Sequence, residues 1–162
     1  MTNAIVSVND KEGVEKLVSE LQKLGWNVYA TSGTADYLEG KGLKVRRLSE
    51  LTGIVERRWL KTLHPEVFER IFSRFFELVV VDLYEDEIDV GGSALVRAGV
   101  KAGATVVCRK ERYDEIIEKL KSNGIDEDYK IELAIEALEC LREHDARMIE
   151  KLRKKIRNTR KI

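Results

Sequence analysis

The chain has 162 residues, with 29 Lys and Arg against 29 Asp and Glu, 43 % apolar residues and two cysteines. That length suits one domain with a sizeable core, and that apolar content excludes a disordered chain. No apolar run approaches the roughly 18–20 residues of a membrane span, no basic segment precedes the short apolar run at the start, and Cys108 and Cys140 lack the spacing of a disulfide framework or zinc site, which points to a reducing cytoplasm.

In chain order, residues 4–8 are a continuous apolar run, as expected of a strand buried on both faces. Residues 13–24 carry Val14, Leu17, Val18, Leu21 and Leu24 at helical spacing, with Gly25 where a C-cap belongs. A second apolar run covers 26–30, a short helix 34–38 is closed by Gly40 and Gly42, and 45–48 offers a weak edge strand. Strand 78–83, helix 93–100 after Gly91-Gly92, strand 105–108 and helix 112–121 follow, and a long helix over about 128–157 closes the chain. This alternation predicts an α/β fold: a single-domain, three-layer sandwich over 1–162 with a mainly parallel sheet and a long C-terminal helix.

Charge is unevenly spread. Residues 151–162 hold seven bases and no acid, so the rest of the chain is acidic by seven. The basic end is read as a solvated helix terminus rather than a contact for nucleic acid or a membrane, because the acidic body repels a polyanion. Charged residues make up 36 % of the chain, with one Pro and one Gln, a bias seen in hyperthermophile proteins. The last helix can pack on its own sheet or on a partner, which leaves a homodimer open.

In parallel α/β sheets ligands bind beyond the carboxyl ends of the strands, so residues just after each strand carry the information. Asn9-Asp10-Lys11 follow the first strand. Thr31-Ser32-Gly33-Thr34 follow the second and open a helix, either as an anion cradle of N–H groups and hydroxyls or as an ordinary N-cap. Lys61 and Thr62 could add a cation and a hydroxyl. His64 precedes Pro65 and more readily holds a turn than exchanges protons. Asp82 and Tyr84 follow the third apolar run. Asp89-Val90-Gly91-Gly92 could place N–H groups against an oxyanion or simply make a tight turn. Lys101 stands at the far end of the next helix, where a cation suits the helix dipole.

In this order, Ser7-Val8-Asn9-Asp10-Lys11, Thr31-Ser32-Gly33-Thr34-Ala35, Leu60-Lys61-Thr62-Leu63-His64-Pro65, Asp82-Leu83-Tyr84, and Asp89-Val90-Gly91-Gly92 with Leu95, Arg97 and Lys101 resemble the inosine monophosphate (IMP) cyclohydrolase domain of the bifunctional purine-biosynthesis enzyme. Family versions read approximately SVSDK, TGGTA, RVKTLHP, NLYP and IDIGG followed by LLRAAAK. The resemblance covers about residues 4–150 and implies a methylglyoxal-synthase-like fold. It also implies closure of formamido-imidazole-carboxamide ribonucleotide (FAICAR) to IMP and water, with no metal or organic cofactor.

By motif, Lys101 would shuttle the proton, with Tyr84, Asp89 and Lys61 around the reacting groups. Lys11, Ser32, Gly33, Thr34, Lys61 and Thr62 would hold the nucleotide, chiefly its phosphate, with Asn9, Asp10, Thr31, Asp82, Asp89, Val90 and Gly91 completing the contacts. The chain departs from the family at Trp59 (Arg), Asp82 (Asn), Glu85 (Pro), Ala102 (Asn) and Cys140 (His), and its segment from Tyr84 to Asp89 is shorter. An ionised Asp82 facing a ligand carbonyl would repel it.

The resulting expectation is a stand-alone IMP cyclohydrolase acting on a purine nucleotide. A nucleotide- or phosphate-binding module without turnover is the alternative, and methylglyoxal synthase ranks lower. The first reading requires Lys101 and the cradle at 31–34 to share one crevice.

Overall fold

The computed structural model of the chain describes residues 2–54 and 62–159. Among these, β1 (Asn3–Ser7), β2 (Asn27–Ala30), β3 (Arg46–Arg47), β4 (Phe76–Val81) and β5 (Thr105–Val107) form one all-parallel sheet in the order β3-β2-β1-β4-β5. The chain winds outward from β1 to one edge, then returns to build the other half. The switch in strand order therefore lies at β1, between β2 and β4.

Strand periodicity divides the core. Ala4 and Val6 of β1 face one side and Ile5 the other, all without exposed surface. On the first side Leu17, Val18 and Leu21 of α1 (Val14–Lys23) pack with α2 (Ser32–Gly40) and α6 (Tyr113–Lys121). On the second, Leu48 of α3 (Leu48–Thr52), Val67 and Ile71 of α4 (Pro65–Phe72), and Leu95 and Val96 of α5 (Val90–Ala102) form the other layer. Gly99 lets α5 sit close to the sheet, since a Cβ there would lie 2.8 Å from Val106 Cγ2.

The last helix, α7 (Glu127–Thr159), is 33 residues, about 50 Å, long. It laps the edge strand β5, sending Tyr129 and Leu133 into the first core and Ala137 and Leu141 into the second. That covering removes an open strand edge. No described helix is long and apolar enough to cross a membrane.

The α/β sandwich expected from the sequence is present, with differences at its margins. The weak strand expected over 45–48 shrinks to Arg46–Arg47, because Leu48 already begins α3, where the Glu50 carboxylate accepts from Arg47 N–H at 3.1 Å. Helices α3 and α4 were not expected; both are too short for periodicity to stand out. Helix α2 starts at Ser32, two residues before the expected position, and the basic end of the chain is helical as far as Thr159.

Candidate functional site

A cleft of about 420 Å³ opens at the carboxyl ends of β1, β2 and β4, beside the switch in strand order. Ser7, Val8, Asn9 and Lys11 enter it from β1 and its following loop. Thr31, Gly33 and Thr34 enter from the start of α2. The opposite wall comprises Thr62, Leu63, Asp82, Tyr84 and residues 87–92.

The β2–α2 wall is held from within. Thr34 Oγ1 accepts from Val8 N–H and donates to Val8 O, both at 3.3 Å, while Thr31 Oγ1 reaches Ser7 Oγ at 3.4 Å. No side chain caps α2, and a Cβ on Gly33 would meet nothing within 4 Å. The positive end of this helix thus borders the cleft, the electrostatic setting that suits an anion. Lys11 lines the same region, its ammonium donating to the carbonyls of Val8 and Asn9.

The opposite wall is organised by Asp89. This buried residue is the N-cap of α5: its Oδ1 accepts from Gly92 N–H at 2.7 Å and its Oδ2 from Tyr84 N–H at 3.2 Å. Both carboxylate oxygens fix the short 84–89 loop to the helix. Asp89 N–H donates to Nε2 of His144 on α7, at 3.2 Å. His144 therefore carries its proton on Nδ1, which is buried without a partner.

Gly91 and Gly92 are not a positive-φ turn; both lie in the first turn of α5. Glycine is required there for close approach. A Cβ on Gly92 would lie 2.7–2.9 Å from the Asp89 carboxylate, and one on Gly91 would lie 2.5 Å from Thr62 Oγ1. Thr62 itself is 2 % exposed and its hydroxyl has no hydrogen-bond partner among the described residues. A buried hydroxyl without a partner is costly, and this one lines the cleft.

Asp82 lines the cleft and also holds the neighbouring loop. Its Oδ2 accepts from Asn9 N–H at 3.1 Å and Asp10 N–H at 2.6 Å, clamping the β1 loop. This needs only an acceptor, which Asp provides as well as Asn. Burial pushes its carboxyl above the usual range, and the charges of Asp10 and Glu85 add to that; the two N–H groups pull the other way. Asp10 turns outward, where a hydrogen bond from Lys110 and then Glu12 N–H hold its carboxyl below the usual range.

The cleft brings together most of the expected contacts: Asn9, Lys11, Thr31, Gly33, Thr34, Thr62, Asp82, Tyr84, Asp89, Val90 and Gly91. Asp10 and Ser32 are not among its lining residues. Lys61, with Trp59, lies outside the described residues. Lys101 is not among the lining residues either. It is exposed, in the last turn of α5, ten residues beyond Gly91 and so about 15 Å along the helix from the cleft. A lysine there complements the C-terminal end of the helix dipole.

His64 caps α4, its Nδ1 accepting from Glu66 N–H at 3.3 Å. The sequence reading missed His144 and the wall residues Glu87 and Ile88. Ser7 had been quoted only as part of a motif. Of the two free thiols, Cys140 lies on α7, and its nearby thiol together with burial pushes the Cys108 thiol up.

A parallel sheet with a cleft at its switch point and a long helix lapping its last strand defines the class. Residues 13–159 match the MGS-like domain, and the chain belongs to that family. It is similar to the bifunctional purine biosynthesis protein PurH of Aquifex aeolicus, 39 % identical over 158 residues, covering 75 % of this chain and 31 % of that protein. PurH of Rhodopirellula baltica is 31 % identical over 174 residues, covering 85 % of this chain and 33 % of that protein. The chain spans about a third of the length of these relatives. The crystal structure of ForH superposes with a TM-score of 0.81 at 26 % identity, over 92 % of this chain and 97 % of that one.

Proposed function

We propose that the cleft binds a purine ribonucleotide and closes the ring of FAICAR to give IMP and water. Family membership and similarity to proteins named for purine biosynthesis support the reading. The observation that carries it is the buried, unpartnered hydroxyl of Thr62, across the cleft from an uncapped helix N-terminus. One wall suits a phosphate. The other offers a hydrogen bond that no described residue takes up.

In this reading the phosphate takes the first turn of α2 with Lys11, and the base lies toward Thr62, Tyr84 and the start of α5. The carboxamide nitrogen attacks the formyl carbon, forming the C–N bond while the formyl oxygen gains charge and then a proton. The carbinolamine loses that oxygen as water as the ring nitrogen gives up its proton. The amide nitrogen is a poor nucleophile, so stabilising the developing oxyanion matters most. The N–H groups opening α5 and the Thr62 hydroxyl are suited to it. Asp89 is a positioning residue here, since both its oxygens are taken by main-chain N–H groups. Tyr84 is the phenol available for proton transfer, and Lys61, the residue before Thr62, keeps the role its motif gives it. Lys101 has no part in the chemistry within one chain.

The position of Lys101 favours a second reading, nucleotide binding without turnover. Incubation of the pure protein with synthetic FAICAR, followed by absorbance and chromatographic identification of IMP, separates the two. Turnover above buffer supports the proposal. Calorimetric IMP binding without turnover selects the second reading.

A further inference from the structure

Helix α7 carries a second pattern that the cleft does not use. On its outer face Ile131, Ile135, Leu138, Ile149, Leu152 and Ile156 are all between 47 % and 57 % exposed. Between them, at the same alternating steps of four and three, stand Arg142 and Asp145. Unbroken 4-3 spacing over 26 residues is the heptad signature of a coiled-coil seam. On a lone surface helix this face would be polar.

The seam reads the same from both ends. Ile131 and Ile156, Ile135 and Leu152, Leu138 and Ile149, and Arg142 and Asp145 are each equidistant from the point midway between residues 143 and 144. Turning one helix end over end about that point sets apolar on apolar in six of the eight pairs, and Arg142 against the partner's Asp145 in the other two. Parallel pairing would instead stack Arg on Arg and Asp on Asp.

The flanking charges agree. Residues 128–139 carry four acids and one base, and their mates, residues 148–159, carry five bases and one acid. The basic end of the chain thus meets the acidic half of the opposing helix. Arg142 is free to pair: its side chain is 78 % exposed and its contact with Glu139 is 3.9 Å long. Among the described residues Asp145 forms no ion pair within the chain. At the centre of the seam a groove of about 410 Å³ between α5 and α7, flanked by Arg97, Leu141 and Ala146, offers room for an incoming Leu or Ile.

We propose that this face is covered by a second copy of the chain, the two α7 helices packing antiparallel about a two-fold axis. The interface is isologous and self-complementary. Sedimentation equilibrium of the full chain tests it, with Arg142→Asp, Asp145→Arg and the double reversal. The wild type is expected at twice 18.6 kDa. Each single reversal sets like charges together on both sides of the axis and weakens the dimer by about tenfold or more. The double reversal restores it. Circular dichroism confirms that each variant stays helical. A wild-type monomer throughout the micromolar range overturns the proposal. So does a dimer indifferent to the single reversals, or a double reversal that fails to recover association.

Discussion

The main-chain N–H of Asp89 donates to Nε2 of His144, 55 positions later in sequence, at 3.2 Å. Through this bond the long C-terminal helix holds the loop that caps α5 and shapes one wall of the cleft. His144→Ala leaves that N–H buried without an acceptor, at a cost of about 1–3 kcal/mol. His144→Gln, whose amide oxygen can reach the same point, recovers most of the loss. Thermal melts read the stability. Nucleotide affinity, lowered in the Ala variant and recovered in the Gln variant, reads the positioning role.

Thr62→Val is expected to separate stability from function. The substitution keeps the shape and removes a buried hydroxyl that has no partner among the described residues. Melting temperature should hold or rise. If that hydroxyl bonds the substrate, kcat/KM should fall about 10–100-fold. Lys101→Ala, outside the cleft, should leave kcat within about threefold. Steady-state rates of the two variants side by side check both statements.

Gly91→Ala places a methyl 2.5 Å from Thr62 Oγ1. Overpacking of this kind costs about 1–3 kcal/mol and displaces the hydroxyl. Adding Thr62→Ala should restore the melting temperature without restoring turnover, because the hydroxyl is then absent. Melts and rates on the single and double variants decide it.

Asp82 gives a pH signature. Its carboxyl is raised in the folded state, chiefly by burial, so its contribution to stability is fully present below the unfolded value near 3.8 and is lost as pH rises through the folded value. Asp82→Asn keeps an acceptor for Asn9 and Asp10 N–H and escapes that loss. The variant should melt about 1–3 °C higher than wild type near pH 7, a modest gain because the group stays partly solvated. The difference should shrink toward zero below pH 4. A constant difference across that range would contradict the burial argument.

The central strands were legible because they are buried on both faces: residues such as Ile5 and Val79 leave an apolar run that no surface element tolerates. The turn at Thr31-Ser32-Gly33-Thr34 was legible because those residues must sit after a strand and before a helix. The distance of Lys101 from the cleft was hidden for a physical reason. A motif preserves order along the chain, while a helix converts ten residues into about 15 Å. The use of Asp82 was hidden because its partners are main-chain N–H groups, which no side-chain pattern advertises. His144 was hidden likewise, since a buried histidine on a charged helix has no local mark. The seam on α7 was present in the sequence, but only the structure shows that Leu133 and Leu141 turn inward while Leu138 and Leu152 face solvent.

A crystal structure of the protein with IMP bound tests the central claim most directly. The account predicts the phosphate at the first turn of α2, beside Gly33 and Lys11, and the base within hydrogen-bond reach of Thr62 Oγ1. A nucleotide seated elsewhere, or one that leaves the Thr62 hydroxyl without a partner, would contradict it.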